Sequence, residues 1–197
     1  EYAYYRMACA AGITMMPSRL MEIEGRKHFL TERFDRREGG KLHVLTLAAM
    51  DPEADSYEDL FAVCRQLRLP EAQERELFRR MVFNVVGCNV DDHSKNFSFL
   101  MDKQGKWSLA PAYDMLFTVD LDGPKYVNGH SLSVGVKTRD VTTGDLLRFA
   151  EENDIKKAEG IVDEVREALS KWDDMAKEAE VPRPWAERIG KELKQHL

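Results

Sequence analysis

Leu77, Phe78, Met81, Val82 and Val85 recur at helical spacing and the pattern stops at Gly87; the next apolar run does not begin until Phe97. Between them lies Asn89 to Asn96, a segment dominated by polar and charged residues. This interruption constrains the fold more than any other feature. Pro70 opens the preceding helix, and Glu71, Glu74 and Glu76 crowd its N-terminus, where negative charge is favoured. Phe97 to Met101 and Trp107 to Ala110 flank the turn Asp102 to Lys106 and read as a β-hairpin. A polar loop gripped by a packed helix and a hairpin is a scaffolded loop, the usual place for functional side chains. Asp91, His93, Lys95 and Asn96 fall within six residues of one another, and Asp114 follows 18 residues after Asn96, just past the second strand. The two ends of a hairpin are close, so this spacing predicts Asn96 and Asp114 together at its mouth.

The remainder of the chain reads as mainly helical. Residues 2–11 form a helix that stops at Gly12. Arg19 to Ile23 and Lys27 to Phe34 read as strands joined by the Glu24-Gly25 turn. Arg33 to Lys41 is a charged loop ending in Gly39-Gly40. Leu42 to Met50 is apolar without a clear period, and Asp51 to Asp55 is an acidic loop. Ser56 begins a helix to about Leu67, with Asp59 completing a capping-box-like start. Residues 111–142 are irregular. From Thr143 the pattern is helical again: a short helix carrying Leu146, Leu147 and Ala150, then a long one striped by Ile161, Val165, Leu169, Trp172 and Ala176. Pro182 and Pro184 precede a last amphipathic helix to Leu197. Met7, Met15, Met16 and Met21 read as core filling. The expected class is mainly α (α+β), with two small β-hairpins.

Composition narrows the function classes. Lys and Arg number 29 against 35 Asp and Glu, a net charge of -6, which argues against a dedicated nucleic-acid binder. No apolar run approaches the roughly 18 residues of a membrane span. The three cysteines, Cys9, Cys64 and Cys88, are few, odd in number and widely spaced. They read as reduced thiols of a cytoplasmic protein rather than a disulfide framework. Cys88 and His93 have no second pair at zinc-ligand spacing. No signal peptide opens the chain. It begins at Glu1, already in helical register, as though cut from something longer.

The chemistry follows from the polar loop. A carboxylate and an amide oxygen at one point are hard oxygen ligands suited to Mg2+, which keeps waters and shares its shell with phosphates. A second carboxylate five residues before the amide can face an incoming hydroxyl. Protein kinases divide the labour in this way, with a catalytic-loop Asp, an Asn five residues on, and a metal-binding Asp after a hairpin. Asp91, Asn96 and Asp114 match that spacing. The tripeptide at the second metal position is Asp114-Met115-Leu116, without the Phe-Gly of D-F-G.

The motif N-x-D-x-H-x-K-N (Asn89, Asp91, His93, Lys95, Asn96), followed by L-A-P-x-Y-D (Leu109 to Asp114), resembles the HipA family of serine/threonine kinase toxins. A second block, Glu32-Arg33-Phe34-Asp35-Arg36, resembles the segment that joins the two lobes and reads adenine in that family. Lys41-Leu42-His43 with Leu45-Thr46-Leu47 is nearer to short HipT-like members. The resemblance implies a protein-kinase-like helical C-lobe: residues 1–35 as the end of the N-lobe and hinge hairpin, 36–142 as the catalytic region, 143–197 as a helical tail. It implies Asp91 as catalytic base and Asn96 and Asp114 as Mg2+ ligands. Glu32, Phe34, His93, Lys95 and Tyr113 are implied as residues around ATP. It further implies a protein substrate tied to translation, such as an aminoacyl-tRNA synthetase, and a DNA-binding antitoxin of HipB type. The family's Gly-rich phosphate loop and ATP lysine are missing from these residues, so the chain alone is expected to be nearly inactive.

Two other readings compete. A retired kinase lobe could serve as a regulatory binding module. Alternatively, Asp120-Leu121-Asp122-Gly123 resembles the D-x-D-G motif of haloacid-dehalogenase phosphatases, with Asp120 as nucleophile. That motif should end a buried parallel strand, and Pro124 stands where a Thr is usual.

Overall fold

The computed structural model describes residues 1–37, 40–124 and 128–197. Gly39, assigned above to a charged loop, lies outside them, as do residues 125–127 of the irregular stretch. Helices α1 (Tyr2–Ala10), α3 (Tyr57–Gln66), α4 (Glu71–Val86), α5 (Thr143–Glu152), α6 (Ala158–Ser170), α7 (Trp172–Glu178) and α8 (Arg183–Leu193) supply most of the regular secondary structure among the described residues, with a one-turn α2 at Leu47–Met50. The strands are β1 (Ser18–Ile23), β2 (Arg26–Thr31), β3 (Arg36–Arg37), β4 (Gly40–Lys41), β5 (His43–Thr46), β6 (Ser98–Met101) and β7 (Trp107–Leu109). Every strand pairing is antiparallel.

Local chemistry sets the helix starts. Ser56 caps α3: its Oγ accepts from the Asp59 amide at 3.1 Å and donates to the Asp59 carboxylate. Thr142 and Asp145 form a reciprocal capping box on α5. Pro70 stands just before α4 as its N-cap rather than inside it.

The predicted apolar face of α4 is buried throughout, with Leu77, Phe78, Met81 and Val82 fully covered. It packs against α6, while α1 lies against α6 and α7. Phe61 of α3 and Phe78 of α4 both meet Phe149 of α5, at ring-centroid distances of 5.0 and 6.4 Å. Tyr4 fills the space between Phe83 and Trp172 and donates its hydroxyl to the Gly87 carbonyl at 2.6 Å. A Cβ at Gly87 would lie 2.5 Å from the Phe83 carbonyl oxygen, so the residue that ends α4 has no room for a side chain.

Several expectations change. The hairpin Phe97–Ala110 is a three-stranded sheet in the order β5-β6-β7, because Leu42–Met50 divides into a strand and a helical turn. That segment lacks a period because it serves two geometries in nine residues. The charged loop Arg33–Lys41 contributes the two-residue pairing of β3 with β4, and the strand expected to reach Phe34 ends at Thr31. The long C-terminal helix is two helices, parted at Lys171. Its apolar stripe continues across the break, so periodicity alone does not reveal it. Of the four methionines assigned to the core, only Met7 is fully buried; Met15, Met16 and Met21 are partly exposed.

Phe149 joins three helices through aromatic contacts. Phe149→Ala is expected to destabilise the fold by about 3–5 kcal/mol, measured by urea unfolding. A loss below about 1 kcal/mol would show that α5 is not part of the cooperative core.

Candidate active site

The loop between α4 and β6 is held from beneath by buried polar groups. Asn84 sits in the last turns of α4 among Met81, Val82, Phe83, Val85 and Val86 and is itself buried. Its Oδ1 accepts from Asn89 Nδ2 at 2.9 Å, and its Nδ2 donates to the Tyr57 hydroxyl at 3.0 Å. Tyr57 in turn donates to Asp92 Oδ2 at 2.7 Å. Burial, and next the charge of Asp92, holds the Tyr57 pKa well above the ordinary tyrosine value, so this hydroxyl stays a donor.

From that base the loop presents Asp91 to solvent. Thr118 Oγ1 accepts from the backbone amides of Val90 and Asp91, at 2.7 and 3.1 Å, and fixes the chain on either side of the Val90–Asp91 peptide. Asn96 ends a single 3-10 turn (Ser94–Asn96), and its Nδ2 donates to the Asp91 carbonyl at 3.0 Å. The amide nitrogen is therefore engaged, which leaves the amide oxygen available for a cation. Asp114 is exposed and adopts φ +56°, the left-handed region, which non-glycine residues visit mostly under structural or functional constraint.

The two ends are tied by Tyr113. Its hydroxyl donates to the Lys95 carbonyl at 2.7 Å and lies 2.6 Å from Ser98 Oγ. The residue before Asp114 is thus fastened to the residue before Asn96. Asn96 and Asp114 line one small cavity of about 10 Å³, together with Arg80, Asn84, Asn89 and Asp92. Arg80 is almost wholly buried and donates to Glu76 Oε1 from Nε (3.1 Å) and Nη2 (2.9 Å). The same Glu76 oxygen accepts from the Thr14 amide, and neighbouring Met15 bridges to Ala112.

A second, larger cleft of about 400 Å³ lies on the other side of Tyr113, lined by Met16, Glu32, Phe34, Val44, Ala112 and Tyr113, among others. Its volume suits a small organic ligand. The Phe34 and Tyr113 rings stand 5.6 Å apart, which joins the first sequence block to the second. Burial raises the Tyr113 pKa, and the charge of Asp114 acts in the same direction. Asp35 is engaged by Arg33 and Arg36; the Arg33 hydrogen bonds hold its carboxyl below the usual range.

Glu32, Phe34 and Tyr113 therefore share one cleft, and Asp91, Asn96 and Asp114 belong to the adjoining loop and hairpin mouth. His93 and Lys95 do not line the cleft. His93 Nε2 is 3.8 Å from Asp91 Oδ1, while its Nδ1 is buried without a hydrogen-bond partner among the described residues. The described residues hold no cluster of three or more His, Cys, Asp or Glu side chains of metal-binding arrangement. The candidate cation site is instead one carboxylate and one amide oxygen, hard donors that leave most of a Mg2+ shell to water and phosphate.

Sequence reasoning missed Asp92, Tyr57, Asn84, Thr118, His130 and Arg80. The available signal was Asn84, a lone amide within an apolar helical run, since buried polar residues need partners. Asp120, the nucleophile of the competing phosphatase reading, has its Oδ1 accepting from the amides of Asp122 and Gly123 at 3.0 and 2.9 Å, a self-closed turn. Among the described residues every strand pairing is antiparallel, whereas that motif calls for a buried parallel strand.

A family profile described as the HipA-like C-terminal domain matches residues 1–180. The chain belongs to the HipA-like C-terminal domain family. The serine/threonine-protein kinase toxin HipA of Shewanella oneidensis is 26% identical over 148 residues, 61% of this chain and 34% of that protein. The solved structure of the Shewanella oneidensis toxin–antitoxin system of HipA, HipB and operator DNA superposes with a TM-score of 0.76 at 17% identity, covering the whole chain and 53% of its counterpart. The Helicobacter pylori proinflammatory kinase CtkA superposes at 0.64 with 12% identity, covering the whole chain and 81% of that one. These likenesses establish an α+β, protein-kinase-like fold. The matched segments span about a third of the length of the curated relatives. No helix among the described residues is long and apolar enough to cross a membrane.

Two predictions arise from the buried groups. Tyr57→Phe removes a hydroxyl shared by Asn84 and Asp92 and should cost about 1–3 kcal/mol, read as a lowered melting temperature; an unchanged value would show the network contributes nothing to stability. Burial pushes the Cys64 and Cys88 thiols up to about 12, whereas Cys9 is exposed. Iodoacetamide at pH 8 should modify Cys9 and spare the other two until the protein is denatured. Mass spectrometry showing equal labelling of all three would refute that ordering.

Proposed function

We propose that this chain is the catalytic C-terminal portion of a serine/threonine protein kinase of the HipA type, which transfers the ATP γ-phosphoryl group to a protein hydroxyl. The observation that carries this reading is the Tyr113 fastening. It joins the Asp91-to-Asn96 loop to Asp114 and flanks a cleft that Phe34 and Glu32 also line.

In this reading Asp91, exposed and held through its backbone by Thr118 and Asn96, orients the acceptor hydroxyl and takes its proton. Asn96 Oδ1 and Asp114 would hold Mg2+, which would neutralise charge on the phosphate oxygens. Glu32 and Phe34 line the adenine end of the cleft, with Tyr113 between adenine and phosphates. Lys95 offers an exposed positive charge toward the phosphates, and His93 steadies the loop beside Asp91. Residues 1–35 correspond to the end of the N-lobe and hinge, 36–142 to the catalytic region and 143–197 to a helical tail. The phosphate-clamping loop and ATP lysine would come from the rest of a longer protein, so these residues alone should transfer phosphate poorly.

The family membership extends the proposal. The protein would act in the cytoplasm within a toxin–antitoxin pair, beside a HipB-type DNA-binding antitoxin, on a protein of the translation machinery such as an aminoacyl-tRNA synthetase. Contact with DNA would come through the partner, in keeping with the net charge of -6.

In the full-length protein, Asp91→Asn should lower kcat about 10²–10⁴-fold with little change in nucleotide affinity. Asp114→Asn should abolish Mg2+-dependent binding of a non-hydrolysable ATP analogue in calorimetry. Undiminished phosphoryl transfer in the Asp91 variant would refute the catalytic assignment. Retained nucleotide binding without transfer in the unaltered protein would favour a regulatory module instead.

A further inference from the structure

Asp92 follows the proposed catalytic base, yet its side chain has no solvent exposure. Its two oxygens meet four donors. Oδ2 accepts from the Tyr57 hydroxyl (2.7 Å) and from His130 Nδ1 (2.9 Å). Oδ1 accepts from the Ser131 amide (2.8 Å) and, at longer range, the Leu132 amide (3.4 Å). Four donors around one carboxyl group match an ionised carboxylate and assign the Nδ1–H tautomer to His130. A carboxamide of the same shape would point an NH2 group at donors.

The four donors come from two places far apart in sequence. Tyr57 opens α3, and His130 to Leu132 lie in the irregular stretch beyond Asp114. Backbone bonds reinforce the same seam: the Ser131 amide donates to the Val90 carbonyl at 3.1 Å, and the Ser133 amide to the Asp55 carbonyl at 2.9 Å. Tyr57 returns a bond from its amide to the Ser133 carbonyl, also at 2.9 Å. Thr118 Oγ1 also accepts from the Val90 and Asp91 amides. The stretch after Asp114 is therefore stitched to the Asp91 loop at Thr118 and at 130–132, which together hold positions 90, 91 and 92.

We propose that Asp92 is a positioning residue for phosphoryl acceptance: by tying Tyr57 and the stretch His130 to Leu132 to the loop, it fixes the chain that presents Asp91 to the acceptor hydroxyl. The inference rests on the phosphoryl-transfer reading and adds to it a buried carboxylate that acts through Asp91. Tyr57, His130 and Ser131 set that carboxylate. The nucleotide cleft beside Phe34 and Tyr113 includes none of these groups, so the positioning of Asp91 and nucleotide binding are separable.

The test uses the full-length protein with casein as acceptor and radiolabelled ATP, comparing the unaltered chain with Asp91→Asn, Asp92→Asn and His130→Asn. Asp92→Asn should lower kcat on the order of 100-fold, with KM for ATP and calorimetric affinity for the ATP analogue within about threefold of the unaltered protein. His130→Asn keeps a donor at the Nδ1 position toward Asp92 and should show a smaller loss in kcat. Amide hydrogen exchange at 130–134 should quicken in Asp92→Asn while α4 stays protected, which separates loss of the seam from general unfolding. Should Asp92→Asn fail to fold, a His130→Ala variant with unimpaired transfer and unchanged exchange at 130–134 would overturn the proposal. Full transfer by Asp92→Asn, with transfer lost in Asp91→Asn, overturns it and leaves the kinase reading intact. Transfer that survives Asp91→Asn, or none from the unaltered protein to casein or to itself, overturns the kinase reading and this inference with it.

Discussion

A carboxylate removed from water has to be met by donors on every side, and around Asp92 that requirement dictates much of the architecture. Two of its donors are side chains set by distant helices and loops, and two are backbone amides of an otherwise irregular stretch. Because the group is buried, losing any partner strands polar atoms in a low-dielectric interior, where the penalty is largest. Residues 130–133 therefore keep a defined path without being helix or strand. The same argument runs through Asn84 and Asn89, which pass the constraint from α4 to the start of the polar loop.

Rigidity below permits exposure above. Asp91 and Asp114 both stand in solvent. Their backbones are nonetheless fixed, one by Thr118 and Asn96, the other by the Tyr113 hydroxyl on Lys95 and a left-handed turn of the chain. Tyr113 also faces Phe34 across the larger cleft. One side chain thus sets the hairpin mouth and forms a wall of the cleft, so the spacing between the two regions is fixed by covalent geometry rather than by a mobile contact.

The parts of this arrangement legible in the sequence are those carried by local pattern. The apolar face of α4, the Ser56 cap and the β6–β7 hairpin all depend on residues close in sequence, and each is where its pattern puts it. Asp91, Asn96 and Asp114 were visible because their spacing is set by one loop and one hairpin. Asp92 was hidden for the opposite reason. Its four donors lie at separations of 35 to 40 residues, and nothing at position 92 alone distinguishes a buried hub from its exposed neighbour Asp91. The break at Lys171 and the strand inside Leu42–Met50 were hidden because a continuous apolar stripe does not report where hydrogen bonding changes partners.

Charge explains why such a site depends on groups beyond its own loop. Asp91 and Asp114 place two exposed negative charges near the cleft, and Lys95 is the exposed cation within the polar loop. Arg33 and Arg36 are engaged by Asp35, and the Arg80 guanidinium is buried against Glu76. The chain as a whole carries a net charge of -6. In the proposed reading, an anionic nucleotide would meet more repulsion than attraction at this surface until positive charge is supplied at the hairpin mouth, and a divalent cation on Asn96 and Asp114 would supply it there.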